Sequence, residues 1–111
     1  MRKIVWTPDG IDSLNEILEY YKYRAGEGVA NDIYDKIMKE IELLAVEEMR
    51  TKQVQELKDI GISDVYELTI NPWKAYYKIK ENNKRAYILF VLDARRNIEE
   101  ILISKVIDAK I

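Results

Sequence analysis

The chain reads as an α+β domain: an N-terminal strand and a helical hairpin packed on an antiparallel meander sheet, with a short C-terminal helix. Three observations carry this. Residues 8–46 hold two apolar stripes at helical spacing. Residues 65–92 hold three strand-like runs separated by turn residues. A sheet with one dry face must be covered by something, and in 111 residues the two helical stripes are what is available. A chain of this length fits one domain, residues 1–111.

In chain order, Arg2–Trp6 is a short apolar run suited to a strand added to the sheet. Thr7-Pro8-Asp9 then marks a helix start. Threonine caps free amides, proline fits the first helical position, and aspartate suits the positive end of the dipole. Ile11, Leu14, Ile17, Leu18 and Tyr21 fall on one helical face, so helix one is expected over about Pro8–Arg24. Gly26-Glu27-Gly28 supplies the turn of a hairpin. Ala30, Ile33, Ile37, Ile41 and Leu44 define helix two, about Glu27–Val46, with Tyr34, Met38 and Ala45 widening its stripe. Tyr21 and Met38 are expected in or near the core.

Glu47–Asp64 is irregular, with Met49, Val54, Leu57, Ile60 and Ile62 as anchors and Gly61 as a turn. A stretch of this kind is expected to lie over the sheet edge and border a groove. In Val65–Ile70, Tyr66, Leu68 and Ile70 alternate with Glu67 and Thr69. In Trp73–Lys80, Trp73, Ala75, Tyr77 and Ile79 alternate with Lys74, Tyr76, Lys78 and Lys80. A period of two predicts a strand with one dry and one wet face. Ala86–Leu92 is apolar on both faces, which places it inside the sheet. Asn71-Pro72 and Glu81-Asn82-Asn83 are the turns between them. The tail fits either a helix, with Asn97 and Glu100 as a capping box, or an alternating strand; the helix is the expected form.

Composition narrows the chemistry. The chain has no cysteine and no histidine, which removes thiolate chemistry, disulfides and the commonest metal ligand and general base. No metal site and no cofactor are expected. No apolar run approaches a membrane span and no secretory segment opens the chain, so a cytoplasmic protein without membrane contact is the expectation. Net charge is −2, but it is unevenly placed. Residues 1–64 carry nine Lys/Arg against fourteen Asp/Glu, and residues 65–111 carry nine against six. The positive half is the sheet half. It suits either an ordinary solvated face or a contact surface for an anionic partner. Adjacent acids such as Glu47-Glu48 and Glu99-Glu100 read as solvated surface.

The candidate contact residues are basic and phenolic. Arg95 and Arg96 follow the last strand, and a guanidinium fork matches phosphate or carboxylate. Lys74 and Lys78 share a strand face with Tyr76, an arrangement able to grip a phosphate backbone while a ring stacks on a base. An acidic peptide is an equal match. For cleavage of RNA, Lys74 and Arg95 suit charge stabilisation, and Tyr76 or Glu56 are the weaker candidates for a base.

Particular residues in this order resemble the RelE/ParE toxin superfamily of type II toxin–antitoxin modules, which includes plasmid stabilisation proteins. They are Val5-Trp6-Thr7-Pro8, Ile17 through Tyr20, Ile37 through Leu44, Gln55-Glu56-Leu57, Val65-Tyr66-Glu67-Leu68, Pro72 through Tyr77 and Leu92 through Asn97. The resemblance covers nearly the whole chain. It implies a growth-inhibiting toxin held in a hetero-oligomer by a cognate antitoxin. Two targets are implied by the superfamily: DNA gyrase for ParE-like members, and the ribosome with its messenger RNA for RelE-like nucleases. Arg95 and Arg96 match the two arginines of the ParE-like ending His-Gly-Arg-Arg-Asp, with Asp93, Ala94 and Asn97 as departures. Lys74 stands where the family usually has arginine. The reading leans to a gyrase inhibitor, with Lys74, Tyr76, Lys78, Arg95 and Arg96 as target contacts. The alternatives are a ribosome-dependent endoribonuclease and a non-catalytic protein-binding domain.

Overall fold

The computed structural model describes residues 2–46, 52–95 and 98–108. The elements are β1 (Lys3–Trp6), α1 (Pro8–Ala25), α2 (Glu27–Glu42) running into a 3-10 turn (Leu43–Ala45), α3 (Gln55–Lys58), β2 (Tyr66–Ile70), β3 (Trp73–Lys80), β4 (Arg85–Asp93) and α4 (Ile98–Asp108). One sheet has the order β1-β4-β3-β2, with β1 parallel to β4 and the other pairs antiparallel. The both-faced apolar strand is interior, as its composition requires. The ambiguous tail is helical. Arg96, the Asn97 cap, Glu47, Glu48 and Met49 lie outside the described residues.

The helical hairpin turns on one residue rather than three. Gly26, at φ +95°, ends α1 and begins α2, while Gly28 is already inside α2. Only glycine adopts that backbone at little cost. Glu81, Asn82 and Asn83 all take positive φ in the β3–β4 turn, and the Lys84 amide donates to the Glu81 carbonyl across it at 3.2 Å.

The sheet contains one irregularity. Tyr76 stands opposite Phe90 but Tyr77 stands opposite Ile88, so Leu89 is an extra residue in β4. Such a bulge shifts the alternation of everything after it. Ile88 and Val91 both face the hairpin, whereas Leu89 and Phe90 both face the other side. The bulge sits where β1 ends, opposite Ile88. Beyond that point α1 takes over as the neighbour of β4. Ser13 Oγ accepts the Val91 amide at 2.9 Å and donates to the Gly10 carbonyl at 2.9 Å. Thr7 Oγ1 donates to the Ile88 carbonyl at 2.8 Å and accepts the Gly10 amide at 3.0 Å, as the helix-capping role required. Helix and strand approach so closely that a Cβ on Gly10 would stand 2.4 Å from the Ile88 carbonyl oxygen.

Two apolar clusters result, one on each face. The hairpin face unites Leu14, Ile37, Ile41 and Leu44 with Leu68, Trp73, Ala75, Tyr77, Ile88 and Val91, with Tyr21 and Met38 against its edge. Ile11 is a correction: it is exposed on the outer side of α1. Tyr34 is likewise exposed. The second cluster joins Tyr76, Leu89, Phe90 and Leu92 to Val54 and Leu57 around α3 and to Leu102 and Val106 of α4. The irregular segment does border the sheet edge: the Glu67 amide donates to the Lys52 carbonyl at 2.8 Å, and Gln53 bridges to Tyr66. The face expected to be wet is therefore largely dry.

Candidate functional site

The burial of that second face redistributes the basic residues. Tyr76 is only 1% exposed, enclosed in the second cluster, so its ring is not available to stack on a base in this conformation. Its hydroxyl is held neutral well above the ordinary phenol range, first by burial and then by the charges of Glu67 and Glu56. A phenol of that kind is a poor general base near neutrality. Glu67 is 8% exposed and receives two lysines, Lys52 at 3.6 Å and Lys74 at 3.7 Å. Lys74 thereby stabilises a buried carboxylate. Lys78 is paired with Asp64 at 3.4 Å. Glu56 lies exposed on α3. Of the two readings of the positive sheet half, these pairs fit the ordinary face at Lys74 and Lys78, which answer carboxylates of β2 and of the segment before it.

Arg95 lies elsewhere, on the hairpin side. The bulge explains this. Asp93 is directly opposite Trp73, whose side chain faces the hairpin, so Asp93 shares that face. Asp93 Oδ1 accepts both the Arg95 backbone amide at 2.9 Å and Nε at 3.0 Å, and Oδ2 accepts Nη2 at 2.7 Å. Arg95 Nη2 also reaches the Tyr21 hydroxyl of α1 at 3.4 Å. These bonds, to Asp93 first and Tyr21 second, favour the charged guanidinium still further. Most of the Arg95 side chain remains exposed.

Arg95 stands at a groove of about 660 Å³ between the C-terminal half of α1 and the end of β4. Its apolar lining comes from Ile17, Val91 and Trp73, with Tyr20 and Tyr21 beside them. The aromatic groups brace one another edge to face: Tyr20 on Tyr21 at 5.2 Å and Tyr21 on Trp73 at 5.9 Å between centroids. Arg24 lies over the Tyr20 ring at 5.6 Å. Glu16 and Asp93 balance Arg24 and Arg95 around the opening. This concave, mostly apolar surface with a few convergent polar groups has the character of a binding site.

Of the predicted contact residues, Lys74, Tyr76 and Lys78 thus belong to the covered face and Arg95 to the hairpin face. The two sets do not converge. Sequence reading missed Asp93 and Tyr21 as partners of Arg95, and Trp73 as the ring behind Tyr21. The usable signal was the Asp-X-Arg spacing, which places a carboxylate within reach of the guanidinium two residues on. Among the described residues no group of three or more acidic side chains is arranged to hold a metal, and no helix is long and apolar enough to cross a membrane.

The model of the ParE toxin of the type II toxin–antitoxin system parDE matches residues 4–98. This chain belongs to the ParE toxin family. The match spans the strand, the hairpin, the meander and the Asp93–Arg95 tip, within the RelE/ParE superfamily. Its family is therefore the toxin side of a two-protein module whose other half is an antitoxin. A solved chain described as "Chromosomal ParDE TA system from P. aeruginosa" superposes on this ParE-family protein with a TM-score of 0.68 at 21% identity, covering 84% of this chain and 96% of the other. That likeness bears on the fold. A comparison with curated proteins gave no match.

Proposed function

We propose that this ParE-family protein inhibits growth by binding DNA gyrase through its sheet-end tip, with Arg95 as the principal contact and its sequence neighbour Arg96 as a second, and that its cognate antitoxin prevents this contact. The observation that carries the reading is the contrast between Arg95 and the other candidates. Arg95 is exposed, fixed and set at an open groove. Lys74 serves a buried carboxylate, and Tyr76 is enclosed with its proton firmly held. Cleavage of RNA requires a base, a charge-stabilising cation and an acid within reach of one phosphate. The chain has no histidine, and its Lys74 and Arg95 sit on different faces. A tip that binds a protein surface needs no such convergence.

The test is expression of the chain alone and then with its neighbouring antitoxin gene, followed by two assays on purified toxin. Inhibition of gyrase supercoiling with transcripts left intact is the expected result. Site-specific cuts in messenger RNA on translating ribosomes, lost on changing Lys74 or Arg95 to Ala, would replace it with the nuclease reading. Normal growth on expression, with neither activity, would leave a protein-binding domain without toxicity.

A further inference from the structure

We infer that Lys36 of α2 is a positioning residue for the Arg95 tip. Its effect on activity rests on the gyrase reading above. The tip joins two segments that lie outside any helix: the β2–β3 turn at Asn71-Pro72 and the end of β4. The Ala94 amide donates to the Pro72 carbonyl at 2.8 Å and clips one segment to the other. Lys36 Nζ donates to the Asn71 carbonyl at 2.9 Å and clips the turn to α2. Both carbonyls of this two-residue turn are thus committed, Asn71 to a helix and Pro72 to the residue that precedes Arg95.

The same ammonium lies over the Trp73 ring, 5.8 Å from its centroid. Tyr21 meets that ring edge to face at 5.9 Å, and the Tyr21 hydroxyl lies 3.4 Å from Arg95 Nη2. Trp73 is buried, so its indole is a fixed post. The contacts close a circuit around it. Lys36 ties α2 to the turn, Ala94 ties the turn to the end of β4, and Tyr21 ties Arg95 to α1. Asp93 sets the local angle of the guanidinium, but it sits on the same strand end and moves with it. Lys36 fixes that end against the second helix of the hairpin. A lysine suits the task, because its long stem reaches past the buried stripe of α2 and a charged donor bonds a carbonyl more strongly than a neutral one. A contact residue set in place beforehand loses less freedom when its partner arrives.

The experiment measures inhibition of gyrase supercoiling by the full-length toxin, beside the arginine Nε–H signals in its nitrogen-edited NMR spectrum. Lys36→Ala is expected to weaken inhibition about fivefold, the size of one partly exposed charged hydrogen bond. Lys36→Arg restores most of it, because a guanidinium also donates to a carbonyl and stacks on an indole. Lys36→Met keeps the stem without the donor and behaves like Lys36→Ala. The Arg95 Nε–H signal, identified by its absence in Arg95→Ala, shifts in Lys36→Ala and returns to its place in Lys36→Arg. The double variant Lys36→Ala/Arg95→Ala inhibits no more weakly than Arg95→Ala alone, since Lys36 acts through Arg95. Lys80→Ala, at the far end of β3, inhibits like wild type. Thermal unfolding midpoints of the Lys36 variants match wild type, which separates a displaced tip from a lost fold.

Full inhibition by Lys36→Ala, or an Arg95 signal that Lys36→Ala leaves in place, overturns the inference and spares the gyrase reading. Additive losses in the double variant overturn the positioning role and make Lys36 a contact in its own right. An equal loss in Lys80→Ala reduces the effect to overall charge and overturns it as well. Failure of wild-type toxin to inhibit gyrase overturns the gyrase reading alone. The Arg95 signal then decides the inference, which falls if that signal is indifferent to Lys36.

Discussion

The two faces of the sheet are built by different means. On the hairpin face, α1 meets β4 through directed bonds: Thr7 to Ile88, Ser13 to Val91, and a backbone approach that only Gly10 permits. On the opposite face, α3 and α4 cover Tyr76, Phe90 and Leu92 with apolar side chains, and lysines settle around Glu67. Directed bonds fix an angle and a distance, whereas apolar contact fixes mainly a volume. The groove with Arg95 lies on the face whose geometry is fixed. On the other face Lys52 and Lys74 answer Glu67, Lys78 answers Asp64, and Lys105 lies over the Phe90 ring. Similar residues in sequence thus have different fates, decided by which cover the sheet receives.

The sharpest way to break this contrast is at Gly10. Gly10→Ala drives a methyl into a backbone carbonyl that cannot move alone, and we expect a loss of about 3 kcal/mol in urea unfolding. Gly28→Ala, which meets open space inside α2, is expected to be neutral or to stabilise by about 0.5 kcal/mol. Equal effects at the two glycines would show that the close approach does not matter. Ser13→Ala comes next. It strips the Val91 amide of its partner in a buried position, a cost of about 1–3 kcal/mol by denaturant titration.

The covered face is sharpened by alkaline titration. The folded state holds the Tyr76 proton above the ordinary phenol value of 10.0. Folding is therefore helped fully below that pH, and the help is lost as pH rises beyond it. Stability should fall above about pH 10, and Tyr76→Phe should flatten part of that slope in melting curves taken from pH 8 to 11. An unchanged slope would mean that Tyr76 is not enclosed. The smallest effect is expected at the β3–β4 turn, where Arg85 meets Glu81 at 2.8 Å in an exposed pair. Arg85→Ala should shift the unfolding free energy by under about 1 kcal/mol, and less in high salt.

Much of the fold was legible in the sequence because alternation and capping are local. Thr7-Pro8-Asp9 announced α1, and the period of two announced β2 and β3. The site was less legible, for two reasons. Strand alternation reports which residues share a face, but not whether that face stays wet. Lys74, Tyr76 and Lys78 share one as expected, yet residues 54–57 and 102–106 cover much of it. The bulge left no trace either. Ala86–Leu92 is apolar throughout, so an extra residue at Leu89 disturbs no visible pattern. Extrapolating the period from Ala86 puts Asp93 on the side opposite the hairpin, whereas the fold puts it beside Trp73.

That supernumerary leucine has a consequence for handedness of function. The sidedness of the tip depends on how many residues β4 contains, not on what they are. Trimming one residue between Ile88 and Phe90 would rotate Asp93 through half a turn about the strand and carry Arg95 away from Tyr21. A toxin so shortened would keep every charged residue it has and lose the place where they act.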